Sequence, residues 1–190
     1  MTTAVRAGWQ ELAAAIRSCA ACPDLVATRT SVVVGVAPPE ARVLLVGEAP
    51  GAREDAAGVP FVGAAGRLLD QVLAEAGVPR GAVAVVNVLK CRPPGNRKPR
   101  AEEVARCRPW LTAQLAALDP ALVVTLGTTA TEWFLGRGAR LADLRGRVHH
   151  VAGRAVLPTY HPAAAARFGP NGAPLAALRA DLTLAASFVA

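Results

Sequence analysis

The four cysteines of this sequence are spaced like the ligands of a metal site. Cys19 and Cys22 form a Cys-x2-Cys pair, and Cys91 and Cys107 follow much later in the chain. In a chain without a secretory signal disulfides are an unlikely use of cysteine, whereas four thiolates complete the coordination of a zinc ion or of a [4Fe–4S] cluster. The spacing favours a metal site, and it leaves zinc, a cluster and four ordinary buried thiols as alternatives.

A carboxylate, an amide and an imidazole lie in loops that follow predicted strands. These residues are Glu48, Asn87 and His161. A carboxylate orients water and stabilises positive charge, an amide both donates and accepts hydrogen bonds, and a neutral imidazole donates one. Each residue alone is more often a helix cap, a turn residue or a structural side chain. Their importance therefore depends on whether the fold brings them together.

The elements that must position these residues alternate between strands and helices. Apolar runs predict strands at 42–46, 83–88, 122–126, 148–151 and 155–157, and helical periodicity predicts helices at 9–18, 66–76, 101–118, 129–135 and 174–188. Such alternation predicts a parallel sheet with helices on both faces. Ligands bind such sheets at the carboxyl ends of the strands, where Glu48, Asn87 and His161 are expected.

Length and charge limit the classes of function. The 190 residues predict one domain over 1–190, and no apolar run approaches the roughly 18 residues of a membrane span, so we expect no membrane association and a cytoplasmic location. The formal net charge is +7, and residues 90–108 hold seven Lys and Arg against two Glu. This patch favours an anionic partner such as nucleic acid, with a solvated face of an Arg-rich protein as the alternative.

Several segments together resemble the family 4 uracil-DNA glycosylases. In chain order they are Gly47-Glu48-Ala49-Pro50-Gly51 with Glu54-Asp55, the stretch 58–63, the stretches 87–94 and 96–99, and His161-Pro162. Order and spacing match from about Cys19 to Arg167, and the specificity lies in the combination because each motif alone is weak. The resemblance implies a three-layer α/β/α fold with a mainly parallel four-stranded sheet. It also implies hydrolysis of the N-glycosidic bond of deoxyuridine in base excision repair.

The resemblance also implies roles for particular residues. It implies a uracil pocket of Gly47, Ala49, Phe61, Asn87 and His161, and a [4Fe–4S] cluster bound by Cys19, Cys22, Cys91 and Cys107. Separately, we expect DNA contacts by Arg92, Arg97, Lys98 and Arg167, since the first three are the densest positive charge beside this pocket. In this scheme Phe61 stacks on the extruded base, Asn87 pairs with its O4 and N3–H, and His161 donates a hydrogen bond to O2 as the base departs. Glu48 orients water, with Asp55 and Glu54 as competing carboxylates.

Two departures from related enzymes limit what is carried over. Cluster-free uracil glycosylases have an aspartate and a tyrosine at the positions of Ala49 and Gly51, and that tyrosine excludes thymine. Many relatives also have a bulky apolar wedge after the His-Pro pair, where this chain has residues 163–166, all alanine, followed by Arg167 and Phe168. The sequence therefore does not identify the means of thymine exclusion or the wedge.

Three other functions compete with uracil excision. A related group traps uracil-DNA covalently through a histidine in the loop after the Asn motif, but residues 91–97 contain a cysteine and prolines instead, which favours turnover. A non-catalytic zinc or cluster protein that binds nucleic acid would leave Glu48, Asn87 and His161 without a role. A nucleotide-binding α/β protein is disfavoured because no Gly-x-Gly-x-x-Gly or phosphate loop follows the first strand. We expect a monomer that acts on uracil-containing DNA.

Overall fold

The computed structural model describes residues 3–189, with side chains from residue 8 onward. Within this range, one sheet is surrounded by helices. In chain order the elements are α1 (Thr3–Arg17), α2 (Pro23–Val26), β1 (Val43–Gly47), α3 (Ala52–Ala57), α4 (Ala64–Glu75), β2 (Val83–Asn87), α5 (Ala101–Leu118), β3 (Leu122–Leu126), α6 (Thr128–Leu135), α7 (Leu141–Leu144), β4 (His149–Val151), β5 (Arg154–Thr159), α8 (Pro162–Ala166) and α9 (Ala173–Ala186). No helix in this described part is long and apolar enough to span a membrane.

The sheet has the strand order β2-β1-β3-β5-β4. Its first four strands are parallel, and β4 pairs antiparallel with β5. The predicted α/β class is confirmed, but the sheet has five strands rather than four. The extra strand arises because Ala152 and Gly153 both have positive φ, which makes a tight turn that pairs β4 with β5 as a hairpin.

Strand residues alternate between two hydrophobic cores, one on each face of the sheet. Val43 and Leu45 pack with α4 and α9 on one face, and Leu44 and Val46 pack with α5 and α6 on the other. Every residue of β1 is buried. Burial on both faces explains why the parallel strands are continuous apolar runs in the sequence.

The helices that periodicity does not predict are all short. They are α2, α3, α7 and α8, each of four to six residues, and α3 lies in the segment between β1 and α4. One turn of helix shows too few apolar positions for a 3.6-residue period to be visible. Two of these short helices follow the ends of β1 and β5, so they help to shape the site.

Candidate active site

A cleft opens at the carboxyl ends of the parallel strands. Its walls include Glu48, Ala49, Gly51, Glu54, Phe61, Asn87, Lys98, Gly127, Thr129, Tyr160, His161 and Arg167. These residues end or follow β1, β2, β3 and β5, so the loops after four strands meet there. The chain after β1 leads to β2 on one side of the sheet, and the chain after β3 leads to β5 on the other, so the cleft lies where the strand order reverses. The structure therefore brings together Glu48, Phe61, Asn87 and His161, as the sequence predicts.

Phe61 is held in the cleft wall by a strained backbone and by two glycines. Its φ is 56°, a left-handed conformation that L-residues rarely adopt, and its side chain is buried. A Cβ on Gly66 would collide with the Phe61 carbonyl oxygen, and a Cβ on Gly47 would lie 2.7 Å from Cζ of the ring. The ring lies 5.6 Å from the His161 imidazole, centroid to centroid, at an interplanar angle of 31°. Glycine at both positions is thus required for this placement.

Asn87 ends β2 and is directly in register with Gly47 of β1. Its residue surface is only 2% exposed, yet no described residue makes a hydrogen bond to its side-chain amide. A Cβ on Gly47 would collide with Asn87 Oδ1, so glycine gives the amide its space. Among the described residues, the fully buried side-chain polar atoms without a hydrogen-bond partner belong to Gln114 and Trp133, so the Asn87 amide reaches the open cleft, where its donor and acceptor groups are free for a ligand. Gly47 itself lies behind this wall.

His161 precedes α8 with its imidazole fixed in one orientation. The backbone N–H of Ala163 donates to Nδ1 at 3.2 Å, so in the neutral ring the proton resides on Nε2. Burial lowers the pKa of His161 to about 4, and the negative charge of Glu54 opposes this shift only in part. The imidazole is therefore a neutral hydrogen-bond donor at neutral pH.

Glu48 and Glu54 line the cleft. Thr129 Oγ1 donates to Glu48 Oε2. Glu54 accepts a hydrogen bond from the backbone N–H of Gly63 at 2.7 Å, which links α3 to the start of α4. Glu48 is thus the carboxylate that has one oxygen held by a side chain, whereas Glu54 braces the loop that carries Phe61.

Asp55 is not brought into the cleft. The residue is 2% exposed, and its carboxylate accepts hydrogen bonds from the backbone N–H groups of Thr30 and Ser31 at 3.0 to 3.2 Å. These contacts tie α3 to the preceding loop. The sequence prediction of Asp55 as a competing catalytic carboxylate is not supported by this placement, because its acceptor oxygens already serve the backbone.

The predicted DNA contacts are divided by their surroundings. Lys98 and Arg167 are exposed at the cleft. Arg92 lies outside the cleft wall, where its Nε donates to Asn96 Oδ1 at 2.7 Å. Arg97 lies at the cleft, but its guanidinium makes two hydrogen bonds to Glu103, at 2.9 and 2.6 Å.

The Arg97–Glu103 pair belongs to the start of α5. Glu103 also accepts from the backbone N–H of Arg100 at 2.7 Å, so it caps the helix while it holds Arg97. The side chain of Glu103 is only 5% exposed. The arginine therefore balances a buried carboxylate and is less free to contact DNA than the sequence prediction assumed.

The four cysteines line a second cavity, on the other side of Ala49 from the cleft. None of the four is in a disulfide. A guanidinium N–H of Arg29 donates to Cys91 Sγ at 3.0 Å, and the indole N–H of Trp110 donates to Cys19 Sγ at 3.2 Å. Among the described residues, no three His, Cys, Asp or Glu side chains are arranged to hold a single metal ion.

Lys90 is buried beside this cavity. It is 1% exposed and has no carboxylate partner among the described residues, and its Nζ donates to the Asn87 carbonyl at 2.5 Å. Burial lowers the pKa of Lys90 to about 8, opposed by the negative charge that Cys107 and Cys91 carry as thiolates. Burial likewise raises the pKa of Cys107 to about 11, opposed by Lys90. A positive charge is thus buried next to the sulfur atoms.

Sequence reasoning did not single out two of these residues. Thr129 was expected only as the start of a helix, and Lys90 only as part of a basic patch. The sequence signal for Thr129 is its place in Gly-Thr-Thr immediately after β3, on the side of the sheet where the other polar loops meet. The burial of Lys90 had no local signal, because it results from packing between the stretch after β2 and α5.

Comparisons with known proteins identify a family and several relatives of this chain. Residues 34–183 match the family model described as the uracil DNA glycosylase superfamily. The chain is 44% identical over 149 residues to a type-4 uracil-DNA glycosylase of Thermotoga maritima, covering 77% of each chain. It is 45% identical over 166 residues to a type-4 enzyme of Pyrobaculum aerophilum, covering 83% of this chain and 84% of the relative. A type-5 uracil-DNA glycosylase of Thermus thermophilus is 34% identical over 182 residues, covering 77% and 83%.

Proposed function

This chain belongs to the uracil-DNA glycosylase superfamily, and we propose that it hydrolyses the N-glycosidic bond of deoxyuridine in DNA and carries a structural [4Fe–4S] cluster. The observation that carries the proposed activity is that two polar groups suited to it line the same cleft. One is the unpartnered amide of Asn87, and the other is the Nε2–H of a neutral His161. An amide that reads a base edge and a donor that stabilises a departing base are what this reaction requires.

Base recognition is assigned to Asn87 and Phe61. The Asn87 amide N–H donates to uracil O4 while its carbonyl oxygen accepts from N3–H. Cytosine does not satisfy this arrangement, because its C4 carries an amine and its N3 has no proton. The buried ring of Phe61 offers a flat apolar surface on which the extruded base stacks.

Bond cleavage is assigned to His161 and Glu48. The bond between C1′ of the sugar and N1 of uracil breaks with its electron pair on the base, and His161 Nε2–H donates to O2, where negative charge accumulates. A water oxygen then bonds to C1′ and gives up a proton, for which Glu48 is the acceptor. The carboxylate charge also stabilises the cationic sugar before water attacks.

The direct test of this function uses a uracil-containing oligonucleotide. Incubation with the purified protein, followed by alkali, should cleave the strand at the former uracil, because alkali breaks abasic sites. An intact strand after alkali would contradict the proposal. A protein–DNA adduct that survives denaturation would instead indicate covalent trapping.

The cysteine cavity has features that fit a cluster. A cubane cluster is held by four thiolates, and N–H donors to the sulfur atoms stabilise such a centre. The four cysteines line one cavity, and N–H donors of Arg29 and Trp110 contact two of the sulfurs. The buried charge of Lys90 would be balanced by thiolate ligands. When bound, a cluster would cross-link the segment after α1, through Cys19 and Cys22, to the stretch after β2, through Cys91, and to α5, through Cys107.

We therefore expect anaerobically purified protein to be brown, with a broad absorption band at about 400 nm, and to contain iron and inorganic sulfide in equal amounts. Cys107→Ala should lose most of this absorption and lower the melting temperature, because one ligand of a buried site is removed. Lys90→Met keeps all four thiols and removes only the charge, so it should lose the cluster to a chelator faster than the unmodified protein. A colourless protein containing one zinc ion would contradict the cluster.

DNA contact is assigned chiefly to Lys98 and Arg167, which are exposed at the cleft. Lys98→Ala should reduce the slope of log Kobs against log salt concentration by about one unit, because one phosphate contact and its released counterion are lost. Arg97→Ala is the matched control. It should lower the melting temperature, because the buried carboxylate of Glu103 loses its positively charged partner, and it should change the slope less than Lys98→Ala does. An unchanged slope for Lys98→Ala would show that Lys98 is an ordinary solvated side chain that does not contact DNA phosphates.

A further inference from the structure

Glu48 is held by one side chain of the neighbouring loop. Thr129 Oγ1 donates to Glu48 Oε2, and no described residue is hydrogen-bonded to the second oxygen, Oε1. Both residues line the cleft, and Thr129 is only 8% exposed. The carboxylate therefore has one oxygen fixed by the protein and one free for a ligand in the cleft.

The backbone around this contact is fixed from both sides. The backbone N–H of Leu89 donates to the Glu48 carbonyl at 3.0 Å, which holds the loop after β1 against the stretch after β2. On the other side, Thr131 Oγ1 is hydrogen-bonded to Gly127 O and to Thr125 Oγ1, each at 2.9 Å, which ties the start of α6 to β3. Thr129 thus reaches Glu48 from the first turn of α6, which these hydrogen bonds tie to β3, so the hydroxyl can set the direction of the carboxylate.

We infer that Thr129 is a positioning residue for the reaction: it fixes the rotamer of Glu48 so that Oε1 faces the water and the sugar C1′. This inference rests on the proposed function, because it assigns Thr129 its role through Glu48. The hydroxyl makes no bond to substrate. Its donated proton selects which oxygen of the carboxylate is free and holds that oxygen in place before DNA binds.

The test compares Thr129→Val with Thr129→Ser in single-turnover excision of uracil. Valine retains the volume and removes the donor, so the rate should fall about 10-fold, the typical effect of one hydrogen bond, while the dissociation constant for DNA stays within about twofold. Serine retains the hydroxyl and should restore the rate to within about threefold of the unmodified protein. Thr183→Val, on the exposed surface of α9, is the matched control and should leave the rate unchanged.

Glu48→Gln separates this inference from the proposed function. If Thr129 acts through the carboxylate, Thr129→Val should slow the Glu48→Gln protein by less than about twofold, since there is no carboxylate left to position. The inference would be overturned if the effects of the two substitutions were fully additive in the double variant. It would also be overturned if Thr129→Val alone had a normal rate while Glu48→Gln alone was slow. Either result would leave the proposed function intact. A normal rate for Glu48→Gln would overturn both the inference and the role proposed for Glu48. Thermal unfolding of each variant shows whether it is folded.

Discussion

Replacing Asn87 with aspartate is expected to reduce uracil excision by about 10⁴-fold, the largest loss that we expect from a single substitution. The carboxylate has acceptors on both oxygens, so the oxygen that replaces the amide N–H would face uracil O4, which is also an acceptor. The two acceptors would then be buried against each other with no donor between them, and the ionised carboxylate would also lie close to the negative charge that develops on the departing base. The same oxygen can accept a hydrogen bond from the cytosine amine, so a trace of cytosine excision should become detectable.

The measurement is a single-turnover rate with alkali cleavage on two oligonucleotides that differ only in uracil or cytosine at one position. Asn171→Asp, which makes the same charge change at an exposed site before α9, is the control and should behave like the unmodified protein. DNA affinity should change little for Asn87→Asp, because the phosphate contacts are elsewhere. Uracil excision within about 10-fold of the unmodified rate would show that Asn87 does not read the base.

Replacing His161 with alanine is expected to lower the single-turnover rate by about 10²-fold or more with little change in DNA affinity. The Nε2–H of His161 donates to an oxygen whose negative charge grows as the bond breaks, so its contribution is made mainly in the transition state. The orientation of the ring is set before substrate binds, because Ala163 N–H donates to Nδ1. His150→Ala, on the exposed face of β4, is the control and should leave the rate unchanged.

The pH dependence of this effect follows from the lowered pKa of His161, which burial places at about 4. A histidine with its pKa below the ordinary value of about 6.5 stays neutral until the pH falls towards 4, so no protonation of His161 occurs between about pH 8 and pH 5.5. The ratio of the unmodified rate to the His161→Ala rate should therefore be constant over that interval. An inflection of this ratio near pH 6.5 would show that the imidazole titrates as an exposed one does.

The sequence by itself determined the fold class and three polar residues of the cleft. Parallel strands buried on both faces must be apolar throughout, so they are visible as continuous runs, and polar residues directly after such runs must lie at one edge of the sheet. Glu48, Asn87 and His161 were placed together on that basis, and the structure brings them to one cleft. The family resemblance implied Phe61, although not the strained backbone that holds it.

Only the tertiary structure decided which polar groups are free to meet a substrate. Asp55 and Arg97 are both suited to the site by type and position, but one is hydrogen-bonded to the backbone of Thr30 and Ser31 and the other is paired with a buried glutamate. The hydrogen bond from Thr129 to Glu48 joins residues 81 positions apart. Local sequence sets backbone periodicity and strand ends, whereas hydrogen-bond partners and burial depend on segments that packing brings together from distant parts of the chain, and no local pattern records them.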